Sequence, residues 1–115
     1  MMMRVSRLWG LAVLGIVMSA GLAHAAGTVI GTVSGVNVID ANDLVLIKLV
    51  GTATGAPGCA TVNTSTMAAD LKKEAGRAML AVALSAKASG ITIGINGGGG
   101  CTRLSGYEDA AQVFQ

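Results

Sequence analysis

Two cysteines, Cys59 and Cys101, are the residues whose type and number most directly imply a chemistry. In an exported polypeptide an even pair predicts one disulfide, because the receiving compartment is oxidising. The alternative is two buried thiols acting as small apolar residues. The bond would close a loop of roughly 40 residues, for which chain entropy gives roughly 4 kcal/mol. A second grouping, Arg103, Tyr107 and Glu108, offers a planar donor, an aromatic face and an acceptor. With the hydroxyl of Thr28 these make a candidate ligand loop, set against the plainer reading of an ordinary surface loop. Glu108 and Asp109 are adjacent, and neighbouring residues of an extended segment point to opposite faces, unlike two acids flanking one bond. Gly97 to Gly100 is followed by Cys101-Thr102 and no helix start, so a flexible strand connection is expected there in place of a phosphate loop. Asp40-Ala41-Asn42-Asp43 lacks the alternate acids and closing Glu of a calcium loop and reads as a turn.

The start of the chain decides which of the other reactive residues count. Arg4 and Arg7 form a positive n-region, Leu8 to Met18 an apolar run, and Ala23-His24-Ala25 an A-x-A cleavage site, the pattern of a secretory signal peptide. The run is about half the length that a bilayer-spanning helix needs. Residues 1–25 are therefore expected to be removed after Ala25, with Ala23 and Ala25 as the small residues of the site. Residues 26–115 are expected to form one exported domain, periplasmic or secreted, with no membrane span. Cleavage would also remove His24, the sole histidine, and Trp9, the sole tryptophan. Without histidine, Ser/His/Asp and Cys/His catalysis is unavailable and most zinc sites are excluded. No enzyme activity, metal or cofactor is expected.

Charge and aromatic content narrow the partners. Once Arg4 and Arg7 are discounted, Lys and Arg balance the six Asp and Glu, which argues against nucleic acid, whose binding rests on many phosphate-neutralising cations. Tyr107 and Phe114 are too few for a base-stacking platform.

The elements that must position these residues follow from periodicity. Gly27 to Ile39 is β-like with a change of phase at Gly35, the mark of a β-bulge that bends one strand to serve two sheets. Leu44 to Val50 is apolar on both parities except at Lys48, so both faces should be covered. Cys59 to Asn63 reads as a short third strand. A helix is expected over Met67 to Ser89, with Thr66 as N-cap and Gly90 as C′. At 100° per residue Leu71, Ala75, Ala78, Met79, Val82 and Ala86 form its core stripe. Leu80 and Leu84 then fall on the far side among Lys73, Arg77 and Lys87, and Lys73, Arg77, Leu80 and Leu84 make a candidate oligomer face. Ile91 to Asn96 alternates with three Ile on one side, and Cys101 to Leu104 and Ala110 to Phe114 supply the last extended pieces. Three strands, a helix and two more strands, with a bent first strand, is the order of a small five-stranded OB-like barrel, mainly β with one helix between strands 3 and 4.

The run Leu46-Ile47-Lys48-Leu49, then Gly51-Thr52-Ala53-Thr54-Gly55-Ala56-Pro57-Gly58-Cys59-Ala60, a Ser/Thr stretch, a helix and Ser89-Gly90-Ile91-Thr92-Ile93 resembles the B subunits of subtilase cytotoxin and typhoid toxin. The resemblance spans roughly Ile30 to Ile95. It implies an OB-fold subunit of a pentameric ring, with helices around a central pore, that binds sialylated glycans on behalf of a secreted enzyme subunit. Cys59 matches a family cysteine, but the family partner would fall near Val45 or Leu46, so a bond to Cys101 would be a different staple. Those toxins hold sugar near the start of the first strand, where this chain has Ala26-Gly27-Thr28-Val29. The expected function is an exported, non-catalytic binding module, directed to glycans by resemblance and homo-oligomeric. The alternative is a small periplasmic structural or interaction protein that keeps the barrel without a sugar site.

Overall fold

A computed structural model describes residues 25–115. The expected leader, Ala23 included, lies outside the described residues except for Ala25, which is exposed. Five strands close into a barrel in the order β1-β2-β3-β5-β4: β1 (Thr28–Ile39), β2 (Leu44–Leu49), β3 (Thr66–Asp70), β4 (Thr92–Gly97) and β5 (Glu108–Phe114). One helix, α1 (Glu74–Ser89), lies between β3 and β4. This is the expected OB-like architecture, and closure leaves few free strand edges.

The phase change in β1 makes closure possible. Thr28 to Thr32 pairs with β4, Val33 to Ile39 pairs with β2, and the register shifts between Val33 and Gly35. Asp40–Asn42 then forms a single 3-10 turn that ends on Asp43 in the left-handed region, φ 51°. Inward-facing Val29, Val33, Val45, Ile47, Leu49, Met67, Ile93 and Ile95 fill the barrel. Ile91 precedes β4 and stays partly outside.

Two expectations are corrected around β3. Cys59 to Asn63 belongs to an irregular connection, and the third strand is Thr66–Asp70, where helix was expected from Met67. Met67, Ala68 and Ala69 favour helix intrinsically, but all three are fully buried between β2 and β5, and that pairing overrides a propensity worth a few tenths of a kcal/mol per residue. The Asp70 carboxylate accepts the Lys72 N–H at 2.9 Å, turning the chain before α1 begins.

The later start and the composition of α1 also change its seating. Gly76, Ala83 and Ala86 are buried, with Met79 and Leu80 packed on the core, whereas Ala75 and Ala78 are exposed. Small residues win the inner face because the barrel is close: a Cβ on Gly76 would collide with the Asp70 carbonyl oxygen. Leu80 therefore leaves the expected outer face, and Leu84 remains on it. Lys73 and Arg77 are exposed, and the Arg77 guanidinium donates to the Leu71 carbonyl at 2.8 Å. Gly90 ends the helix as expected, at φ 71° with its N–H on the Ala86 carbonyl.

Candidate ligand-binding groove

Alternation along β2 sends Val45, Ile47 and Leu49 into the barrel and Leu44, Leu46 and Lys48 to its outer face. The strand is covered on that second side by its own chain: Leu104 and Tyr107 of the β4–β5 connection, together with Ile39, pack on Leu44, Leu46 and Ala68. The doubly apolar strand thus needs no second subunit to cover it.

That cover stops short of Lys48. Beyond it lies a groove of about 350 Å³, walled by Val62, Asn63 and Tyr107 and floored by Gly35, Asn37, Leu46, Lys48 and Thr66. Register explains the floor. Gly35 faces Lys48 and Asn37 faces Leu46 across β1–β2, while Thr66 faces Lys48 across β2–β3. Gly35 keeps the floor open, since a Cβ there would meet nothing closer than the Lys48 Cβ at 3.9 Å. Among the described residues, the Lys48 ammonium has no carboxylate partner, and neither the Asn37 amide nor the Tyr107 hydroxyl is hydrogen-bonded. The Asn63 side-chain oxygen, Oδ1, accepts the Ser65 N–H at 2.8 Å, which leaves the side-chain NH₂ as a donor. A free cation, two amides and an aromatic face therefore converge on one concave surface, and the strand 2–3 face is where OB-folds take their ligands.

The loop carrying Tyr107 is fixed by the charged residues expected to touch ligand. Arg103 is half-buried, and its Nη1 donates to the carbonyls of Ala68 and Ala110, both at 2.9 Å, tying β3 to β5 where their parallel pairing is short. Glu108 points inward and is only 1% exposed. Its carboxylate accepts the N–H of Gly27 at 2.9 and 3.2 Å and that of Gly99 at 3.0 Å. Asp109 points the other way and accepts the Thr102 hydroxyl at 2.7 Å and the N–H groups of Thr102 and Arg103 at 3.0 to 3.1 Å. Partial burial pushes the Asp109 carboxyl up, but these donors and the Arg103 charge outweigh it and hold it below its usual range. The two adjacent carboxylates thus serve different donors on opposite faces.

Of the four residues in the candidate ligand loop, Tyr107 alone lines the groove. Arg103 and Glu108 have their polar groups engaged within the fold. Thr28 sits on another face, its hydroxyl donating to Asn96 Oδ1 at 2.8 Å while the Asn96 amide donates to Gln112. Asn37, Lys48, Asn63 and Thr66 went unrecognised as site residues, although Lys48 announces itself as the one polar residue in an apolar strand. Cys59 and Cys101 form the expected disulfide, Cα to Cα 6.0 Å. It joins the β2–β3 connection to the β4–β5 connection, and such a bond fits an oxidising, exported compartment.

Among the described residues no group of His, Cys, Asp and Glu is arranged to hold a metal ion, and no helix is long and apolar enough to cross a membrane. Comparison with known proteins found no matching family model, no matching curated protein and no matching solved structure.

Proposed function

We propose that this chain is an exported, non-catalytic binding module that takes a glycan in the groove between Lys48, Asn37, Asn63 and Tyr107. The observation that carries this reading is the convergence of an unpaired cation, amide groups and the Tyr107 face in a 350 Å³ groove on the strand 2–3 side of an OB-like barrel. Amides match sugar hydroxyls, an aromatic face matches the apolar side of a sugar ring, and the ammonium suits an acidic substituent. The resemblance to toxin B subunits supports the same class of ligand, though the groove is distant from the start of β1. A homo-oligomer serving a secreted enzyme subunit belongs to this reading, with the resemblance and Leu84 as its support. Screening exported protein on a glycan array, followed by titration of the best ligand, tests it. Lys48→Ala and Gly35→Val, the second filling the floor, should each weaken binding at least about tenfold, the loss expected from about 1.4 kcal/mol.

A second reading, a periplasmic structural or interaction protein without a sugar site, is favoured by the presence of one aromatic residue in the groove. It predicts no glycan on the array and no response of Lys48 or Tyr107 resonances to any sugar.

A further inference from the structure

The two walls of the groove are held by very different means. Tyr107 belongs to the β4–β5 connection, which Asp109, Arg103 and Glu108 all fasten to the barrel by hydrogen bonds, and whose Leu104 and Tyr107 are seated on the outer apolar cluster. Val62 and Asn63 belong to the long β2–β3 connection between Leu49 and Thr66. That connection is tied near the barrel by Val50 to Thr32, Thr54 to Thr28 and the Ser65 hydroxyl to Gly51. Its distal part, residues 57–62, has two bonded links to the β4–β5 connection, the Val62 N–H on the Gly106 carbonyl at 3.0 Å and the Cys59–Cys101 disulfide, beside the contact of Val62 with Gly106 and the burial of Ala60. Neither cysteine lies in a strand or in the barrel interior, and Cys59 is exposed.

We propose that the Cys59–Cys101 bond is a redox clasp on the groove, a pair of positioning residues that keep the Val62 wall beside Tyr107 and release it on reduction, while Asn63 stays on its bonds to Ser65 and Thr66 and the barrel stays closed. The regulatory meaning rests on the glycan-binding reading, whereas release of the wall stands on the loop geometry alone. The reaction requires a dithiol reductant. Its thiolate attacks the exposed Cys59 sulfur and forms a mixed disulfide, and Cys101 departs as a thiolate that takes up a proton. The second thiol of the reductant then closes on the first, freeing Cys59. Cys59 and Cys101 together gain two electrons and two protons, and the dithiol is oxidised to its own disulfide. Once the covalent link is gone, the segment keeps one backbone hydrogen bond, the contact of Val62 with Gly106 and the buried Ala60 methyl, a hold that opens locally at far lower cost than the barrel strands do.

Amide exchange and ring resonances followed by NMR test the clasp on exported protein, oxidised and after treatment with dithiothreitol, with Cys59→Ser/Cys101→Ser as a second sample. Tyr107 is the sole tyrosine of the sequence, so its ring signals are unambiguous. On reduction the amides of residues 58–62 should exchange at least about tenfold faster relative to those of β1, β2 and β4 in the same sample, and the Tyr107 ring signals should move. The double variant should reproduce both changes without added reductant. Unchanged exchange at Val62 would overturn the clasp, because the wall would then be held without the bond. Collapse of protection across the whole barrel in the dithiol-treated native chain would overturn it equally, since the disulfide would then be a staple of the entire fold. Neither readout needs a glycan, so failure of the binding reading leaves a separate trace, an oxidised chain that captures no ligand.

Discussion

A buried carboxylate must be held by dipoles when no cation is at hand, and Glu108 has no Lys or Arg partner among the described residues. Its holders are the backbone N–H groups of Gly27 and Gly99, and the Gly97 backbone approaches so closely that any Cβ there would strike the carboxylate. Truncation to Ala leaves those buried donors unpaired, whereas Gln keeps one acceptor oxygen but turns an NH₂ toward N–H groups. Urea unfolding should therefore rank wild type above Glu108→Gln, at a cost of about 1 to 3 kcal/mol, and Glu108→Gln above Glu108→Ala. Asp109 makes a pH-dependent contribution of known sign. Its folded pKa is depressed, so its stabilisation is present above the ordinary carboxylate value of about 4 and is lost as pH falls through the lower folded value. Asp109→Asn should cost about 1 kcal/mol at neutral pH, reduced by solvent screening. That difference should shrink toward zero as pH falls from the ordinary carboxylate range through the lower folded value, as measured by paired denaturation curves. Arg103 and Glu108 carry the residue types of a ligand site, but sequence cannot reveal that their partners lie 35 and 81 positions away. Tyr107, whose hydroxyl has no hydrogen-bond partner among the described residues, is the one of the four that lines the groove.

Among the elements, those whose pattern has one physical solution were legible. The Gly35 phase change is realised as the bulge that lets β1 serve both β4 and β2, Gly90 ends α1, and the inward Ile93 and Ile95 fix β4. The first half of the expected helix failed for a definable reason. Met67-Ala68-Ala69 fits either a helix or a doubly buried strand, and the choice rests on β2 and β5 lying on either side, which local sequence does not encode. The same ambiguity rotated α1. In an alanine-rich helix the apolar stripe is nearly uniform, so the inner face is chosen by size, and Gly76, Ala83 and Ala86 permit the closest approach. Gly to Ala inside a helix normally stabilises by about 1 kcal/mol. At Gly76 the sign should reverse, because the new methyl meets backbone that cannot swing away. Thermal unfolding should show Gly76→Ala destabilised by about 1 to 3 kcal/mol, while exposed Ala78→Gly shows only the ordinary propensity loss of about 1 kcal/mol.

For the whole molecule, the question is whether the barrel works alone. Two features of the sequence pointed to self-association, an outer helix face bearing Leu80 and Leu84 and a second strand apolar on both sides. The structure reassigns most of that surface: Leu80 packs on the core, and the outer side of β2 is covered by Leu104 and Tyr107. Leu84 remains, 50% exposed. Burying the rest of one leucine is worth at most about 1.5 kcal/mol per subunit, well short of the several kcal/mol that association costs, so further contacts must contribute to any ring. The two leucines now separate in their expected effects. Leu80→Ser places a hydroxyl against the barrel and should destabilise the monomer fold by about 2 to 4 kcal/mol, visible in unfolding at any protein concentration. Leu84→Ser should leave the unfolding curve within about 0.5 kcal/mol of wild type and act on assembly alone. If exported protein assembles through α1, light scattering will give a mass several times that of one chain, and Leu84→Ser will lower it. A wild type that scatters as one chain at tens of micromolar would confine function to the single barrel and its groove, with Leu84 an ordinary surface residue.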